Sequence, residues 1–300
     1  MLDFSKIKTI SIKERKNKVK LSDLIKPQNS KLFVKSKEFD ELAERIVSAH
    51  KNKKQVILMM GAHVIKTGMS LIIIDLMKKR VISHVAMNGA GPIHDFELAF
   101  IGETSEYVED TIEDGTFGMI EETGSILNGA IKDGAKKKYG MGYCIGKKIS
   151  DLELANKECS ILYNAYKLKM PATVHVAIGT DIIHQHPSCD GAAVGETTYN
   201  DFKAFAESVS KLENGVVLNI GSSVILPEVF LKALTVARNL GFKVENITAA
   251  NFDMTDHYRP RENVVRRPTS LGGKGFMIIE KHEKTIPTLH RKIVDKIKKI

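Results

Sequence analysis

Five side chains able to carry protons or ligate a metal crowd into the eleven residues Thr180–Asp190: Asp181, His184, His186, Cys189 and Asp190. They follow an alternating apolar run, Val174, Val176 and Ile178, which breaks at Gly179. Polar groups just past a strand end are where open α/β sheets bind their ligands. Three chemistries suit these types. His184, His186 and Cys189, joined by Asp95 or Asp190 and by His63 or His94, offer the imidazole and thiolate ligands that zinc takes. Cys189 and His186 could pair as nucleophile and base. His186 alone, titrating near neutrality, suits a general acid or base. A solvated loop whose polar side chains cap the next helix is the plainer reading of the same residues.

The elements that must position them repeat a pattern of apolar run, small polar turn and amphipathic helix. QVILMM (55–60) meets GAH, SHVAMN (83–88) meets GAGP, and ATVHVAIG (172–179) meets the histidine segment. GVVLNI (215–220) meets GSS, FKVENITAA (242–250) meets NFDMTD, and GFMIIE (275–280) precedes a terminal helix expected from about Pro287. Phe39, Leu42, Ile46 and Val47 share one face of a helix over 38–51, and 104–168 reads as mainly helical. Strands alternating with helices in this way predict a single Rossmann-like α/β domain over 36–300, its mainly parallel sheet covered on both faces. Residues 1–35 are polar and mixed, and predict an N-terminal arm that packs on a neighbouring subunit.

Composition narrows the function. The net charge is +9, but the lysines gather at 13–20, 136–138 and 292–299 without interleaved aromatics, so a solvated basic surface is expected and no nucleic-acid partner. No apolar run reaches the roughly 20 residues that span a bilayer, and the first residues lack the apolar centre of a signal peptide. A soluble, cytoplasmic protein is expected, with Cys144, Cys159 and Cys189 as reduced thiols. The small residues at the strand ends, Gly61–Gly68, Gly89–Gly91 and Gly221–Ser223, let backbone N–H groups approach a phosphate, which points to a nucleotide. Asp253 and Asp256 suit a ribose hydroxyl or an amine, or else cap a turn.

These strand-end motifs, in this order, resemble the deoxyhypusine synthase family over roughly residues 40–290, more weakly across 104–168. GAHVIKTG is similar to that family's first cofactor turn, AMNGAGPIHD to its second, GTD to its Leu-Thr-Asp, IGSS in part to its Gly-Gly-Gly, and TAANFD to its Thr-Ala-Gln-Glu-Phe-Asp. The resemblance implies a cytoplasmic homotetramer that binds NAD and transfers a 4-aminobutyl group from a polyamine or small amine. It implies cofactor contacts at Gly61, Ala62, His63, Thr67, Asn88, Gly89, Ala90, Gly91, Asp181, Gly221, Ser222, Ser223, Thr248, Ala249 and Asp253. For catalysis it implies His186, Glu228, Asp256 and Lys274. The family's Trp-Gly-Lys segment, whose lysine forms an imine, has no match: the chain has no tryptophan, and Lys274 is the only lysine of 258–275. Two further readings stand beside this one: a metal-dependent hydrolase or lyase built on the histidine cluster, and a nucleotide-binding protein without catalysis.

Overall fold

A computed structural model describes residues 2–298. Its centre is a parallel sheet of β2 (Val56–Met60), β3 (His84–Asn88), β5 (Ala172–His175), β6 (Val216–Ile220), β7 (Thr248–Asp253) and β8 (Lys274–Ile279), in the order β5-β3-β2-β6-β7-β8. A two-stranded antiparallel ribbon, β1 (Asn17–Lys20) with β4 (Glu103–Glu106), stands apart from it. The chain is a single Rossmann-like α/β domain.

Central strands are apolar on both faces because both are covered. Ile57, Met59 and Val217 face the helices Gly191–Ser210 and Ile225–Asn239. Val56, Leu58 and Met60 alternate to the other side, against Lys37–Lys51, Ser70–Lys78, Ala90–Ile101 and the terminal helix His282–Ile297. Three layers result. The helices Glu121–Lys136, Met141–Asp151 and Ile161–Lys167 fill the stretch expected to be helical.

Three elements depart from expectation. The fifth strand of the sheet starts at Thr248, not at 242, because side chains take the backbone groups ahead of it: Arg238 donates to the Val244 carbonyl, and Glu213 accepts from the Glu245 and Asn246 amides. Asn251, Phe252 and Asp253, expected in the turn, are therefore the second half of the strand. The strand at 172 stops at His175, since beyond it Val176 donates to Thr198 on the neighbouring helix. The terminal helix begins at His282 and carries Pro287 in its interior.

The N-terminal arm makes contacts with its own chain. Ile12 is buried, Ser11 and Ile12 donate to Glu122, and the Phe33 and Val34 amides donate to Thr288. Arg15 forms a buried ion pair with Glu97 at 2.8 Å, with Glu106 at 3.9 Å. Removing one partner of such a pair strands the other charge in the interior, which is why the arm is held.

Candidate functional site

Counted within the main sheet alone, the strand order is 3-2-1-4-5-6, the doubly wound arrangement whose order reverses between the first and fourth strands. Those strands are β2 and β6, so the crevice where such folds bind dinucleotides lies beyond Met60 and Ile220. The turns Gly61–His63 and Gly221–Ser223 meet there. A Cβ on Gly61 would lie 2.0 Å from the Gly221 carbonyl oxygen, and Gly221 has φ +66°, so both positions require glycine.

The glycines of these turns are filled by the chain itself. A Cβ at Gly89 would meet an Asp181 carboxylate oxygen at 2.0 Å, and one at Gly91 would meet Met87. What the turns leave open is helix ends. Ala90–Ile101 and Ile225–Asn239 begin at the crevice with no side chain at their N-cap positions accepting from their N–H groups, whereas Lys37–Lys51 is capped by Ser36 and Gly191–Ser210 by Asp190. Helix N-termini with their positive dipole ends suit a phosphate, although Ser222 already takes the Leu226 amide of the second. The Asn88 side-chain oxygen, at the end of β3, is buried without a hydrogen-bond partner. The group this set fits is a dinucleotide.

Over the first half of the sheet the crevice opens into a cavity of about 410 Å³, walled by His63, Lys66, His94 and Asp181 and closed by Arg15 and Lys18 of the arm. Three carboxylates line it: Glu97, Glu106 and Asp181. Glu97 is bound by Arg15, Thr104 and Thr123. Burial raises Glu106 above the usual carboxylate range, against the pull of the Gly118 amide and Arg15. Burial also pushes Asp181 up to about 6. His94, held by Thr104 at 2.7 Å, is driven down to about 4 by burial, so it is neutral at pH 7.

Other expected residues fall elsewhere or are occupied. Thr67 spends its hydroxyl on the His63 and Val64 carbonyls, and Ser222 accepts from the Leu226 amide. Asp253 ends β7 at the crevice and accepts from the Met254 amide. Thr248 and Ala249 open β7, so they lie at the opposite edge of the sheet, about 16 Å from Asp253 along the strand. Lys274 pairs in register with Thr248 at that same edge, and its ammonium lies 3.9 Å from Glu41. Lys274, which the resemblance implied for catalysis, is the first residue of β8 and does not reach the crevice. Glu228 is engaged by Lys232, Arg259 and Asn263, and Asp256 by Arg261.

The histidine segment turns inward. The His184 Nδ1 accepts from the Gly179 and Asp181 amides, which caps a single helical turn. His186 is packed on Gly124, where a Cβ would come within 2.2 Å of its ring. Its Nδ1 is bonded to Ser188 and its Nε2 lies 3.5 Å from Glu121. Burial raises the Cys189 thiol, the reverse of what a nucleophile needs. Among the described residues no three His, Cys, Asp or Glu side chains converge on a metal position. Asp95 caps Ile161–Lys167 through the Ile161 and Leu162 amides, and Asp190 caps Gly191–Ser210.

Sequence reasoning missed Arg15, Glu97 and His282. His282 opens the terminal helix beside the crevice, its ring centroid 5.7 Å from that of His63. A histidine three positions past the last strand was the available signal.

No protein-family model matches the sequence, and no curated protein matches it. Solved structures share the fold. AgrE, in a ternary complex with ornithine and NAD+, aligns at a TM-score of 0.54 and 11% identity over 89% of this chain and 35% of its own. This chain thus spans about a third of AgrE's length. A conserved protein of the LOR/SDH type from Methanococcus maripaludis S2 aligns at 0.54 and 13%, over 91% of this chain and 74% of its own. A protein assigned as a deoxyhypusine synthase from Entamoeba histolytica aligns at 0.51 and 9%, over 87% and 88%. At these identities the likeness is one of fold. No helix among the described residues is long and apolar enough to cross a membrane.

Proposed function

We propose that this protein is an NAD-linked enzyme acting on a small amine or polyamine, in the manner of an aminoalkyl transferase. The observation that carries the reading is the switch point between β2 and β6, where the helix at 90 starts without a side-chain cap, and the helix at 225 with only Ser222 on its Leu226 amide, beside a buried, partnerless Asn88 oxygen. Bound NAD would supply oxidation of the carbon beside the amine. Asn88 and the N-termini of the helices at 90 and 225 would hold it, with Asp181 and Asp253 at its margins.

The amine half of the reading is supported by the carboxylates of the 410 Å³ cavity, of which Arg15 fully answers only Glu97. An ammonium group finds Glu106 and Asp181 there. Two fold neighbours lean the same way, the one solved with ornithine and NAD+ and the one assigned as a deoxyhypusine synthase. Transfer through an imine on Lys274 is not part of the proposal, since that lysine stands at the far edge of the sheet. A small acceptor amine would displace the donor amine at the oxidised carbon, and return of the hydride would complete the transfer. The protein is expected to work in the cytoplasm, and a tetramer remains part of this reading.

The test is a mass-spectrometric screen with NAD+ and putrescine, spermidine or ornithine. A new amine product, or NADH accumulation with one amine, supports the reading. NAD+ binding with every amine unchanged would mark a nucleotide-holding protein without catalysis.

A further inference from the structure

On the cavity wall, the neighbours of His94 fix where its ring proton sits. Arg15 holds Glu97 with both guanidinium ends, at 2.9 Å and 2.8 Å, so Glu97 is ionised and can only accept. The Thr104 hydroxyl donates its one proton to Glu97 at 2.6 Å, and Thr123 donates to the other carboxylate oxygen. His94 Nδ1 lies 2.7 Å from that same Thr104 oxygen, which has only lone pairs left to offer. Nδ1 must therefore carry the hydrogen. Burial keeps the ring neutral, so Nε2 is a bare acceptor. No hydrogen bond among the described residues engages Nε2, and His94 lines the 410 Å³ cavity. Glu97 and Thr104 behind it are buried. The chain Arg15, Glu97, Thr104 and His94 thus runs from the arm to the open volume and ends in an unused lone pair.

We infer that His94 Nε2 accepts an N–H from the ammonium group of the substrate, and that Glu97, acting through Thr104, is the positioning residue that keeps that nitrogen bare. The inference rests on the amine reading above and adds a neutral acceptor to its carboxylates. A primary ammonium group brings three N–H donors and no acceptor. Glu106 already accepts from the Gly118 amide and from Thr111, so part of its capacity is spent. His94 offers an acceptor that nothing else uses. The opposite tautomer would point an N–H at the ammonium, and a protonated ring would repel it. The Thr104 hydrogen bond excludes the first. Burial opposes the second, and so does Lys66 on the same wall.

The test is imidazole nitrogen NMR of histidine-labelled protein, with NAD+ present and putrescine, spermidine or ornithine added. The His94 signals are assigned by their loss in His94→Gln or by contact with the Thr104 methyl group. The resting protein should show Nδ1 protonated and Nε2 bare. The amine that binds should shift the Nε2 signal, and NAD+ alone should leave it. Thr104→Val should mix the two tautomers. By calorimetry, His94→Leu should weaken that amine about tenfold, and His94→Gln, whose carbonyl returns an acceptor, about threefold or less. Both variants should leave NAD+ within about twofold. A resting Nε2–H tautomer overturns the inference. So does an Nε2 signal unmoved by a bound amine, or already moved by NAD+ alone. These wild-type spectra decide even if the variants fail to fold. If NAD+ binds and no amine does, the amine reading falls and takes this inference with it.

Discussion

The histidine segment Thr180–Asp190 and the switch-point crevice have opposite relations between residue type and availability. The segment is rich in reactive types, yet its chemistry is largely spent: His184 caps its own turn, His186 is clasped by Gly124, Ser188 and Glu121, and Asp190 caps a helix. What the segment leaves available is Asp181, which faces the cavity, and the His184 Nε2, buried without a partner. The crevice is built of glycine, alanine and serine, yet it leaves the start of the helix at 90 uncapped and holds partnerless atoms on Asn88 and His282. Reactive types show where chemistry is possible. Unmet hydrogen bonds at the strand ends show where a ligand is expected.

The sharpest break of that contrast is at the arm that closes the crevice cavity. Arg15→Ala should destabilise the protein by about 3–5 kcal/mol in urea unfolding, because Glu97 is left buried and unpaired. Gly61→Ala should cost about 3 kcal/mol or more by the same measurement, since its methyl group meets the Gly221 backbone rather than a flexible side chain. In the histidine segment, His186→Gln should cost about 1–2 kcal/mol and leave NAD+ affinity unchanged by calorimetry, which would set a structural role against a binding one. Lys274→Ala should shift stability by less than about 0.5 kcal/mol and leave any amine turnover intact.

Two pH effects sharpen the account further. Asp201 accepts from the Gly142 and Val174 amides, yet full burial pushes it up to about 7. Its folded pKa lies above its unfolded one, so the unfolded chain ionises first and stability falls as pH rises from about 4 to about 7. Asp201→Asn should flatten that slope in thermal melts. Asp181, at about 6, gains its charge as pH rises through that value, so amine affinity at the cavity should strengthen from pH 5 to 7 in the wild type and not in Asp181→Asn.

The fold was largely legible because apolar runs buried on both faces, such as 55–60 and 215–220, end in glycines that only tight turns between adjacent strands demand. The start of β7 was not, since it depends on Arg238 and Glu213 claiming backbone groups from a distance. The site was legible only as a set of strand ends. His63 and His282 lie 219 positions apart and meet only through the sheet order, and the string around His282, KHEK, reads as solvated surface. Arg15 likewise sits in a lysine-rich stretch, and nothing local marks it for burial.

The central claim is that the switch point between β2 and β6 holds NAD, and a crystal structure of the protein soaked or grown with NAD+ tests it most directly. The account predicts a dinucleotide across the C-terminal ends of the strands, with phosphates at the helix starts near Ala90 and Ile225 and nicotinamide facing the cavity lined by Glu106 and Asp181. NAD+ bound at the opposite edge near Thr248 and Lys274, or no binding at millimolar concentration, would contradict it.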